Sequence, residues 1–300
     1  MRMKRFAFFI ALVMLFAACD TGLVLKRPKL DSTLSDLPSA KGAEVVLNVD
    51  EDVFGKTLSI YSKQNDKKDE LLKAKKEYGF ENAKGDSKNG YTLYTNKDGD
   101  TLKVYDTGAF EYKVSNVEYG NPISEKEMEA IAKTAFDSLG MNIEDYERGG
   151  KEELKEHFAD TEQVLQTTLH FNRRIDGYQT IGSSKVTVGI ANGKLFSVGV
   201  LYNDAKKEFD VVSKSKDEVS EDFINSILHI KYNAVGASDA TVKRFEITKA
   251  EVVYLDVFYD NEKQPHIQPC YRLSGTVTLD NGKETEFTAI APAVPDEYYK

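Results

Sequence analysis

Apolar positions along this chain recur with two periods. Between residues 128 and 139 they fall at helical spacing: Met128, Ile131, Ala132, Ala135, Phe136 and Leu139. That is the stripe of an amphipathic helix. Ser124 and Glu127 ahead of it form a capping box, and Gly140 behind it supplies a left-handed stop. A second box, Ser215 and Glu218, opens a stretch with Val219, Phe223, Ile224, Ile227 and Leu228 on one face. After each helix the period changes to two, the signature of half-buried strands. The first set covers Val164–Asn172, Ser184–Ala191 and Lys194–Tyr202; the second covers Lys243–Tyr259, Tyr271–Asp280 and Lys283–Ala291. In both sets the last two strands are joined by Asn-Gly-Lys, at Asn192 and at Asn281, a strong hairpin signal. The capping serines are 91 residues apart and the turn asparagines 89, a matched spacing that predicts a duplicated helix–strand–hairpin unit. A fainter unit precedes them: a helix over Asp66–Tyr78 stopping at Gly79, then strands Tyr91–Thr95, Thr101–Tyr105 and Ala109–Val114. Asp98-Gly99 and Thr107-Gly108 make its turns. The expected fold is therefore α+β, built from repeated helix-plus-antiparallel-sheet units.

The N-terminus follows neither period. Arg2, Lys4 and Arg5 precede an uninterrupted apolar run from Phe6 to Phe16. Eleven residues are too few to span a bilayer as a helix, which takes about 20, but suit the apolar core of a signal peptide. Phe16-Ala17-Ala18-Cys19 then resembles the bacterial lipoprotein signal, in which the cysteine is lipidated and becomes the new N-terminus. Phe16 stands where that pattern prefers an aliphatic residue. Residues 1–18 are thus read as a lipoprotein signal peptide and Cys19 as the lipidation site. Two acyl chains on one cysteine meet the two-signal condition for stable anchoring. Residues 19–42, with Pro28, Pro38 and several serines, read as a tether whose flexible span would be roughly 25–30 Å. The body divides into 43–120, 121–205 and 206–300.

Composition narrows the chemistry. The net charge of −9 becomes −12 once the three basic residues of the signal are removed, which argues against a nucleic-acid partner and leaves membrane attachment to the lipid. Two cysteines and four histidines exclude a disulfide scaffold and disfavour a zinc site. His157, His170, His229 and His266 have no acidic partner at motif spacing, and no nucleophile elbow, phosphate loop or zinc-protease motif occurs. Gly182-Ser183-Ser184-Lys185 reads as a strand entry. Asn96–Asp100 begins like a calcium loop, but Thr101 and Thr107 stand where the glycine and bidentate acid belong, so a hairpin turn is expected. Cys270 is the one thiol left after lipidation. Strand parity places it with Arg272, Thr276 and Thr278, on the face away from Tyr271 and Leu273, which leaves room for partial exposure, but a buried, inert thiol is the favoured reading. No catalytic residue, cofactor or metal is expected, and the chain is not read as an enzyme.

The residues at Gly182–Tyr202, Ser213–Phe223, Pro269–Gly275 and Thr288–Val294 resemble PepSY-like domains of Gram-positive extracytoplasmic proteins. More particularly they look like the YycH/YycI group, extracellular regulators of a cell-wall sensor kinase. Those regulators use a transmembrane helix where this chain carries a lipidation signal. The resemblance implies a protein partner, a sensor kinase or cell-wall protein, and transfers no functional residue. The expected role is a non-enzymatic binding or regulatory module on the extracytoplasmic face of the membrane. Strand addition along Lys243–Tyr259 is one expected mode. The alternative is a lipoprotein that binds a small molecule or glycan in a deep tyrosine-lined pocket between the units.

Overall fold

In the computed structural model the described residues are 25–26, 42–64, 68–120, 123–158, 161–202, 204–224, 229–232, 241–256 and 265–299. Signal residues 1–18, Cys19 and most of the tether lie outside them, as do Ile227, Leu228 and Tyr259 and the side chains of His157, Phe223, Ile224 and His229.

The chain begins with β1 (Glu44–Leu47) and β2 (Thr57–Gln64), followed by α1 (Lys68–Glu77). A meander of short strands comes next: β3 (Gly85–Lys88), β4 (Tyr91–Thr95), β5 (Thr101–Tyr105) and β6 (Phe110–Lys113). After α2 (Glu125–Leu139) the chain forms the long hairpin β7 (Tyr146–Phe158) and β8 (Thr161–Ile175). Then come β9 (Tyr178–Gly182), β10 (Lys185–Ala191), β11 (Lys194–Leu201) and β12 (Asp204–Val212). Finally α3 (Lys216–Ile224) precedes β13 (His229–Tyr232), β14 (Val242–Asp256), β15 (His266–Leu279) and β16 (Glu284–Pro292).

All sixteen strands join one mixed sheet whose main path runs β12-β2-β15-β14-β9-β8-β10-β11-β6-β5-β4-β3. Of the described residues 56% are strand and 18% helix. The hairpin β14–β15 lies at the centre of one half. Its β14 edge is shared by two parallel neighbours, β1 against residues 244–247 and β9 against 254–256. Its β15 edge is shared by β2 and β16. Two cores form on this sheet. In the first, α1 and α2 cover β5, β6, β8, β10 and β11, burying Phe136, Leu139, Leu102, Phe110, Leu169 and Val198. In the second, Phe245, Tyr271, Leu273, Val277 and Phe287 of β14–β16 pack with Phe54 and with Val219 of α3.

The duplicated unit is not what forms, and the α+β architecture of repeated helix-plus-sheet units is replaced by a single large mixed sheet. The local signals are present: Ser124 and Glu127 bond each other's backbone amides, as do Ser215 and Glu218. Their consequences differ. The first helix has fifteen residues and the second nine. The strands after α2 pair in the order β7-β8-β10-β11, whereas β13, the strand after α3, crosses to pair with β16. Even the Asn-Gly turns are of different kinds. Asn192 and Gly193 both have positive φ, at 47° and 67°, whereas at the second turn Gly282 alone does, at 78°. There the Asn281 carboxamide accepts from the Lys283 amide instead. Pairings with β1 and β2, drawn from the N-terminal region, then weld the supposed last unit into the common sheet.

The described part of Lys243–Tyr259 is β14, paired with β15 along one edge and, along the other, with β1 at residues 244–247 and β9 at residues 254–256. Residues 248–253 of that second edge carry no strand partner among the described residues, so strand addition has only this short stretch of ladder to use.

Candidate functional site

Cys19 lies outside the described residues, but Leu25 and Lys26, within the stretch read as tether, are docked on the body. Leu25 is fully buried beside Ile60, Val211 and Val294. Its amide donates to the Tyr298 carbonyl at 2.9 Å, and it bridges Tyr299 in parallel. The Gln268 carboxamide, itself buried, donates to the Lys26 carbonyl at 2.8 Å and accepts from the Tyr299 hydroxyl at 3.2 Å. Leu25–Lys26 and the C-terminal turn are therefore fastened to each other next to β2 and β12. Leu23-Val24-Leu25 is too short a run to show a period, so sequence patterning reads this stretch as tether.

A second concentration of chemistry lies at the seam between the halves, where β8–β9 meets β2 and β14. The Asp176-Gly177 turn takes positive φ at both positions, 52° and 81°, which aims the Asp176 carboxylate back at the sheet. It accepts from the Tyr61 hydroxyl at 2.7 Å and the Tyr254 hydroxyl at 3.3 Å. Burial and this carboxylate push Tyr61 up to about 12 and raise Tyr254 further. Along the same seam Asp256 is fully buried between Lys63 on one side, 3.8 Å away, and Arg173 on the other, 3.9 Å away. The Arg173 guanidinium also lies 4.7 Å from the centre of the Tyr202 ring, whose hydroxyl is 2.9 Å from that of Tyr146. Gly182 takes a φ of 112° where β9 passes the Asp256 carbonyl, and a side chain there would collide with it. These groups fix one half of the sheet against the other. None presents a nucleophile beside a base.

A groove of about 340 Å³ opens on the same seam, lined by Lys56, Glu147, Tyr178, Gln179, Glu251 and Arg272 among others. Arg272 donates to Glu251 at 2.6 Å. Burial works against ionisation of Glu251, yet the guanidinium holds its carboxyl below the usual range. One tyrosine lines this groove. Tyr61, Tyr254 and Tyr271 are instead spent in the interior, so the deep tyrosine-lined pocket between units does not form among the described residues.

The remaining candidates have structural occupations. Cys270 is fully buried among Val253 and Leu255, and burial pushes its thiol up to about 12. The buried thiol is the favoured reading of the sequence; parity does set Cys270 on the face away from Tyr271, but both faces of β15 are covered from Ile267 to Tyr271, and alternation of exposure resumes only beyond. At Asn96–Asp100 a hairpin turn forms, as expected. The Asn96 carboxamide accepts from the amides of Asp98 and Asp100, and the Asp100 carboxylate accepts from the Ser115 amide. No group of three His, Cys, Asp or Glu side chains among the described residues could hold a metal. His170 and His266, by contrast, do meet acids: Glu152 at 3.1 Å and Glu208 at 3.2 Å. Both contacts cross between strands, so motif spacing along the chain could not reveal them. Burial and Lys185 lower His170 against the pull of Glu152.

No family model matches the sequence, and no curated protein matches it. Among solved structures, the C-terminal domain of Bacillus megaterium YpeB aligns with a TM-score of 0.36 at 9% identity, covering 77% of this chain and 92% of that one. A likeness at that level carries no argument about fold or role. No helix among the described residues is long and apolar enough to cross a membrane.

Proposed function

We propose that this chain is an extracytoplasmic lipoprotein, anchored to the bacterial cell membrane through acyl chains on Cys19, and that it acts as a non-enzymatic binding or regulatory module for a membrane or cell-wall protein. One observation carries the reading: a basic start, an eleven-residue apolar run and small residues leading into Cys19. The seam groove, mixed in charge and open, favours a second reading in which the ligand is a small polar molecule or glycan.

The test is metabolic labelling of the full chain with an alkyne fatty acid. The native protein should take up label and fractionate with membranes, and Cys19→Ser should lose both. Equal labelling of the two would overturn the anchor. Crosslinking of the anchored protein in its own membrane then separates the two roles. A single stoichiometric protein adduct supports the first, and saturable small-ligand binding without one supports the second.

A further inference from the structure

The anchor and the docked Leu25 together fix an orientation. We propose that the face over the docked Leu25, formed by the C-terminal turn Asp296–Tyr298 and the outer end of β12, lies against the phospholipid surface, with the β4–β5 hairpin directed away from it. The proposal rests on lipidation of Cys19. Six residue steps lead from Cys19 to Leu25. At a maximum of about 3.3–3.6 Å per residue, no path of that length exceeds roughly 20 Å. A tether free as far as Gly42 would reach nearly four times as far and impose no orientation. Leu25 is not free: it is fully buried, and the segment is held by backbone bonds to Tyr298 and by Gln268. The sulfur that carries the acyl chains therefore sits within about 20 Å of this one face.

The sheet path supplies the opposite pole. β12 is at one end of it and β3–β5 at the other. On β5, Tyr105 packs beside Leu201, at the end of β11 that leads towards β12. The Asp98 turn closes the far end of the same strand. Val212, at the outer end of β12, leaves 62% of its surface exposed on the membrane-proximal side. Charge does not draw the face down, since the mature chain is strongly acidic; the short leash does.

Single nitroxides at Glu297→Cys and at Asp98→Cys, in acylated full-length protein on phosphatidylcholine vesicles containing a nickel-chelating lipid, test the placement. Glu297 adjoins the docked turn, both positions are exposed, and buried Cys270 does not compete for label. Relaxation by lipid-borne nickel should be several-fold greater at 297 than at 98. Ten Gly/Ser residues inserted between Cys19 and Leu25 should bring the two sites together. Equal relaxation in the native chain, or stronger relaxation at 98, in protein whose acyl mass is confirmed, would overturn the orientation alone. Absence of the acyl mass would overturn the anchor on which it rests.

Discussion

Lys214 offers the sharpest test of what holds the C-terminal half together. Its side chain is 3% exposed and donates to Asp222 and Asp296, each at 2.7 Å. Asp222 is 5% exposed and Asp296 50%. The backbone of Lys214 is equally committed, donating to the Ala293 carbonyl and accepting from the Tyr271 hydroxyl. Lys214→Met keeps the length of the stem and removes the charge. The half-exposed partner should contribute little, about 0–1 kcal/mol. The buried one is different, because Asp222 would keep a charge in a desolvated site after losing its cation. Breaking such a pair costs about 3–5 kcal/mol, a large share of the 5–15 kcal/mol typical of a folded domain. Urea unfolding should show the midpoint falling with the slope unchanged. Lys214→Met combined with Asp222→Leu should recover most of the loss, since a well-packed apolar pair often equals a buried ion pair. A single-variant loss below about 1 kcal/mol, or no recovery in the double variant, would refute the reasoning.

Four further outcomes are expected. Ser124→Ala should cost about 1 kcal/mol in the same assay, because the α2 cap loses its acceptor for the Glu127 amide. Gly275→Ala should cost about 1–3 kcal/mol, since its side chain would run into the Glu246 carbonyl at the β14 bulge. Cys270 should resist maleimide in the native protein and react on unfolding; a thiol raised from 9.0 to about 12 has its thiolate fraction at pH 8 cut roughly a thousandfold. Tyr202 and Tyr271 are held up to about 12, chiefly by burial, against an ordinary 10.0. The unfolded chain therefore loses these protons first, so their contribution is intact below pH 10 and lost between 10 and 12. Denaturant midpoints that stay level up to pH 12 would contradict this.

What the sequence disclosed was local. The α2 stripe, its box at Ser124 and stop at Gly140, and the strands Tyr91–Thr95 and Thr101–Tyr105 all lie where spacing put them. β7 went unread because an edge strand with the sequence Lys151-Glu152-Glu153-Leu154-Lys155 buries no alternating face; its charges pair across the surface instead. The false repeat arose because capping boxes and Asn-Gly turns specify helix starts and reversals, while saying nothing about which edge a strand joins. Edge choice depends on β1 and β2 meeting partners far along the chain. The seam was hidden for the same reason: Lys63, Arg173 and Asp256 converge only once that pairing exists. The docking of Leu25 was not legible either, because it depends on the C-terminal turn at Tyr298 and Tyr299.

The reach of those pairings carries a consequence in time. Glu44 of β1 lies opposite Arg244, and Ser62 of β2 opposite His266. At a synthesis rate of about 5–20 residues per second, β1 waits roughly 10–40 s for β14, and β2 roughly 7–30 s for the first of its partners, β12. Until then these two N-terminal strands have no partner, and folding dominated by such distant contacts is slow once it begins. The topology that keeps the finished sheet in one piece also keeps the nascent chain open. Under the export proposed above, that delay would hold the chain in the form a translocation channel can thread.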